Sequence, residues 1–132
     1  MYKSGSKWGR WDLHIHTASS YDAYKGSDSD NLLVEKWREN NLVAVAITDH
    51  VTIDSNRISN LTELASGITV FPGVELRCDK GTKNLHIIII FPNGDKKNLE
   101  NLSNKFDVFT QDEGKPSGIK SEKNWKEVIY WD

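Results

Sequence analysis

Leu42-Val43-Ala44-Val45-Ala46-Ile47-Thr48-Asp49-His50 is the stretch that decides the fold. Its first six residues are apolar without alternation and too few for an ordinary helix. A strand covered on both faces, as in a parallel sheet, has this composition. The run then gives way to Thr48-Asp49-His50, so polar chemistry follows directly at the strand's C-terminal end.

Outward from this strand the chain alternates. Upstream, residues 11–16 read as a strand and residues 17–29, rich in small and polar types, as a loop. Ser29 or Asp30 can cap a helix reaching about Asn40, with Leu33, Val34 and Trp37 on one stripe. Downstream, a helix is expected over 55–66, with Ile58, Leu61, Leu64 and Ala65 inward and Gly67 as its stop. A strand over 68–71 follows. Pro72-Gly73 is expected to bend the chain before a further strand over 74–78, a turn at 79–82 and a strand over 84–91. The order βαβαββ predicts an α/β fold, an open sheet with flanking crossover helices. Past Lys96 the pattern weakens: a helix over 98–106, a polar loop over 111–121 and a closing helix over 122–131 are expected.

The totals narrow the functional classes. A length of 132 residues suits one domain, and 37% hydrophobic with 27% charged residues is ordinary for a globular chain. The net charge of -2 provides no field favouring nucleic acid or an anionic membrane. No apolar run approaches the roughly 18 residues a membrane-crossing helix needs. The start has no apolar segment resembling a secretory signal. Cys78 is the single cysteine, which rules out an intramolecular disulfide and points to a reducing, cytoplasmic setting.

The four histidines, His14, His16, His50 and His86, carry the chemistry. Strand alternation places Trp11, Leu13 and Ile15 on one face and Asp12, His14 and His16 on the other, so two imidazoles one repeat apart can grip one ion. In α/β folds the C-terminal strand ends hold the site. His14, His16, Asp49, His50 and Glu75 all arrive near that rim. If residues 79–82 form a hairpin turn with Cys78 opposite Lys83, Glu75 falls opposite His86, with Cβ atoms about 4.5–5.5 Å apart. Imidazoles and carboxylates without thiolate suit Zn, Mn or Fe in a catalytic site. Glu75 is the candidate to bridge ions. Asp22 either reaches a metal or forms a turn. Asp49 is expected to orient His50 or a strand end. Arg77, on the strand face of Glu75, either meets a phosphate or lies on the surface.

Asp12-Leu13-His14-Ile15-His16-Thr17, Ile47-Thr48-Asp49-His50, Pro72-Gly73-Val74-Glu75-Leu76 and Leu85-His86-Ile87 together resemble the PHP (polymerase and histidinol phosphatase) family, in order and in spacing. In wording the N-terminal part is most similar to the PHP module that begins the TrlF-type AAA-like ATPases. The resemblance implies the N-terminal half to two-thirds of a distorted (β/α)7 barrel, with two or three divalent ions (Zn, Mn or Fe). It implies His14, His16, His50, Glu75 and His86 as ligands, with Asp22 one position later than the family's usual acidic residue; Glu75, His50 and Asp49 are then the expected catalytic group, and Arg77, by its strand face, the expected substrate contact. The activity implied is hydrolysis of phosphomonoesters or phosphodiesters, on phosphorylated small molecules, nucleotides or nucleic-acid ends. On this reading residues 1–10 are a lead-in, 11–95 the metal-binding core and 96–132 a C-terminal segment packed on the same domain.

The family's later motifs add a histidine and a closing Asp-x-His, whereas no histidine follows His86 here. Several ligands are therefore expected to be missing, with hydrolysis weak in the isolated chain. Its open sheet is expected to self-associate, to be covered by the helix over 122–131, or to meet a C-terminal ATPase region in a longer protein. The alternatives are a metal-binding or structural module without turnover, and a nucleic-acid-binding domain, against which the charge argues.

Overall fold

Strand β2 (Leu42–Ile47) lies inside the sheet, as its uninterrupted apolar composition requires. The computed structural model describes residues 8–20, 29–77, 86–112 and 115–116, with side chains over 8–20, 29–76 and 86–104. β2 pairs in parallel with β1 (Arg10–Ile15) on one side and with β3 (Thr69–Arg77) on the other. β4 (His86–Ile90) pairs antiparallel with β3, giving the order β1-β2-β3-β4. The sheet curls as a four-strand half-barrel flanked by three helices, the mixed α/β architecture the sequence predicts.

Local chemistry sets the helices. In α1 (Asp30–Glu39), the Ser29 hydroxyl accepts from Leu32 N–H, Asp30 stands at the positive end, and Lys36 and Arg38 stand at the negative end. Asn41, at φ 56°, ends it in the left-handed conformation that asparagine tolerates. In α2 (Ser55–Leu64), the Asp54 carboxylate accepts from Arg57 N–H. Gly67 follows at φ 90°. α3 (Lys96–Thr110) starts earlier and runs longer than the expected 98–106, because Asp95 accepts from Asn98 N–H and caps it. β5 (Gln111–Asp112) and β6 (Lys115–Pro116) form a short pair inside the stretch read as a loop.

The core lies between the sheet and the helices. Leu33, Val34 and Trp37 of α1 and Ile58 and Leu61 of α2 meet Val45, Ile47, Val70, Val74 and Leu76, and Leu99 joins from α3. Alternation along β3 sends Val70, Val74 and Leu76 into this core and Phe71, Gly73 and Glu75 to the opposite face.

Three expectations need correction. Pro72-Gly73 does not divide two strands; β3 is continuous. Pro72 ends the regular β2 pairing opposite Ile47, and its carbonyl accepts from Phe91 N–H beyond β4. Gly73 is required by crowding, since an added Cβ would lie 2.9 Å from Ile89 O and 3.1 Å from Ile47 O.

The β3–β4 register also differs. Glu75 pairs with Ile88 and His86 with Arg77, a shift of one pleat repeat that keeps Glu75 and His86 on the same face. The expected turn at 79–82, Asp22 and the helix over 122–131 lie outside the described residues.

Finally, alternation fails along β1. Its register shifts between Asp12 and Ile15, where three steps on β1 match two on β2. This bulge turns Trp11 toward Phe71 on the site face while Ile15 packs against the core.

Candidate metal centre

Four imidazoles converge on one buried carboxylate. Glu75 projects from the C-terminal half of β3 and is 2% exposed. His14 lies one residue before the end of β1 and His16 directly after it. His50 lies beyond the end of β2, held there because Glu75 N–H donates to Asp49 O and Val51 N–H to Glu75 O, each at 3.1 Å. His86 opens the antiparallel β4, so it starts where the parallel strands end. β1, β2 and β4 thereby bring rings, and β3 the carboxylate, to the same rim.

The distances are short. Nε2 of His14, His16 and His50 lies 2.8, 3.0 and 3.1 Å from Glu75 Oε2. His86 Nδ1 meets Oε1. His14 and His16 bring their Nε2 atoms within 3.1 Å of each other. Oε2 has two lone pairs and faces three ring nitrogens, one more than it can accept from. Neutral imidazoles would aim lone pairs into the same space, and a divalent cation among them would resolve the excess. Candidate ligand atoms of His14, His16 and Glu75 all lie within 4.8 Å of one another. Nitrogen and carboxylate donors without thiolate fit Zn, Mn or Fe.

Electrostatics favours the deprotonated forms a cation needs. Burial holds the His16 imidazole below its ordinary value, and His50 beside it adds to the shift. Burial pushes Glu75 up, but the bond from His14, the charge of His50 and the bond from His86 outweigh it and hold the carboxyl below its usual range. Burial raises Asp49, against two bonds from Thr17 that favour its ionised form.

The structure thus brings His14, His16, His50, Glu75 and His86 together. Asp22 and the Arg77 side chain lie outside the described residues. The Asp49 carboxylate faces Thr17, just past β1, rather than the ring cluster: Thr17 N–H donates to Oδ1 at 2.5 Å and its hydroxyl to Oδ2 at 2.6 Å. The loop over 17–20 was not legible as part of the site. Ser20 Oγ accepts from His50 N–H at 3.0 Å. Ser19 donates to Asp54 at 2.7 Å and accepts from Arg57 at 3.1 Å. The available signal was the small polar run Thr17-Ala18-Ser19-Ser20, which reads only as a turn. Val51 completes the rim at φ 57°, a strained conformation for a β-branched residue.

No family model matches the chain, and no curated protein matches it in sequence. Solved structures do match. One is an amidohydrolase from Chromobacterium violaceum, solved with sulfate bound and no metal, at TM-score 0.51 and 21% identity. Another, from Bifidobacterium adolescentis, is described as a candidate metal-dependent phosphoesterase, at TM-score 0.50 and 25% identity. Each match covers 72% of this chain and 32% of the other, so the chain spans about a third of their length. They are similar in fold to this half-barrel, the class of architecture shared by barrel-type phosphoesterases and amidohydrolases.

Proposed function

We propose that the chain is a metal-dependent hydrolase module of PHP type, acting on phosphomonoesters or phosphodiesters, with nucleotides or nucleic-acid ends among its substrates. The observation that carries this reading is the convergence of four imidazoles on the Glu75 carboxylate at the C-terminal rim. The likeness to a candidate metal-dependent phosphoesterase supports it. His14, His16, His50, Glu75 and His86 would hold two or three divalent ions (Zn, Mn or Fe), with Asp22 as a further ligand. When bound, such ions polarise a phosphoryl oxygen and lower the pKa of a water. Glu75 supplies the bridging charge, His50 orients the cluster from behind, Asp49 braces the loop that follows His16, and Arg77 is assigned to the substrate phosphate.

The test is turnover of p-nitrophenyl phosphate and bis-p-nitrophenyl phosphate with added Mn²⁺ or Zn²⁺. Metal-dependent release of nitrophenol, lost in Glu75→Gln, is expected. Activity that survives chelation would overturn the reading. The chain spans 32% of the length of these neighbours, and a second reading is the same metal centre without turnover, as a metal-binding or structural module of a larger PHP-ATPase. Metal uptake without hydrolysis of either ester separates the two.

A further inference from the structure

His16 stands between two anchors, and both are fixed to the pair of residues that leads into His50. Before it, Ile15 O accepts from Thr48 N–H at 2.8 Å. After it, Thr17 is clasped by Asp49 through its amide at 2.5 Å and its hydroxyl at 2.6 Å. Thr17 is 0% exposed and Asp49 2%, so water does not compete for these bonds. The same hydroxyl accepts from Ser19 N–H at 3.1 Å, and Thr17 O accepts from Ser20 N–H at 3.0 Å. One side chain therefore sets both the strand end and the tight turn that leaves it.

From this we infer that Thr17, acting through Asp49, is a positioning residue for His16 in the metal centre. A ligand ring serves a metal only when its backbone is held to within about 0.5 Å. The clasp does this for His16, whose ring packs edge-on against His50 at 4.7 Å between centroids. A hydroxyl is needed here: valine would match the shape and leave Asp49 Oδ2 without its donor. The inference rests on the metal-centre reading above and adds a residue that touches no candidate ligand atom itself.

The experiment titrates Co²⁺ and Zn²⁺ alone into the chelator-stripped full chain, reading affinity by calorimetry and coordination by the Co²⁺ visible spectrum. Thr17→Val is expected to weaken binding about tenfold or more and to alter the spectrum, the scale of effect typical of groups that orient a ligand. Thr17→Ser, which keeps the hydroxyl, is expected to restore both. In a His16→Ala background Thr17→Val should cost nothing further. Should Thr17→Val fail to fold, Asp49→Asn carries the test with the same expected loss and spectral change. Parent-like affinity and spectrum in Thr17→Val, or an undiminished loss in the His16→Ala background, overturns this inference alone. A parent chain that takes up no Co²⁺ overturns the metal-centre reading, and this inference with it.

Discussion

Glu75 carries the site because a single carboxylate in a buried position is asked to satisfy four rings. Replacing it with glutamine keeps the shape and removes the charge. Because partners one step removed from a metal already cost about 10–100-fold, Glu75→Gln is expected to weaken Zn²⁺ or Mn²⁺ binding by about 100-fold or more, read by calorimetry. His16 makes a second residue-scale statement. Its imidazole is held below its ordinary value, chiefly by burial, so the folded chain binds this proton less readily than the unfolded chain. The unfolded state therefore takes up more protons as pH falls through the ordinary histidine range, and stability drops there. In metal-free protein, thermal melting should move to lower temperature between neutral and mildly acid pH. The slope should flatten in His16→Gln; an unchanged slope in that variant would contradict the burial argument.

Among the elements, β3 does most of the positioning. It passes between β2 and β4 with Gly73 pressed against backbone on both sides. Gly73→Ala must push the strands apart, and a loss of about 1–3 kcal/mol is expected in chemical denaturation, the usual cost of overpacking. Leu61 on α2, fully buried against the sheet, should cost about 2–5 kcal/mol as alanine. These elements were legible in the sequence for plain reasons. The unbroken apolar run of β2 announced a strand inside the sheet, and the cap residue Ser29 and the apolar stripe ending at Gly67 announced helices. What stayed hidden depended on pairing. The β1 bulge that turns Trp11 to the site face leaves no mark in composition. The one-repeat shift of β4 likewise leaves no mark in composition. Four of the gathered rings and Glu75 could be named beforehand because period-two alternation survives a shift of a whole repeat. Thr17 could not, since its partner Asp49 lies 32 positions away in sequence.

For the whole molecule, the face of the sheet away from the helices carries exposed apolar side chains among the described residues. Trp11 is 59% exposed, Ile88 and Ile90 are 38% exposed each, and β1 forms an edge. Apolar surface beside an unpaired strand edge invites a second chain. Concentration-dependent association is therefore expected in sedimentation velocity, reduced by Trp11→Lys; a monomer at every loading would contradict it. Among the described residues no helix is long and apolar enough to cross a membrane. The candidate metal centre is itself a property of the whole, because its rings and carboxylate come from β1, β3, β4 and the end of β2. Calorimetric titration of the chelator-stripped chain with Zn²⁺ tests this centre most directly. The account predicts saturable binding of at least one ion per chain that disappears in Glu75→Gln, and heats indistinguishable from dilution in the parent would contradict it.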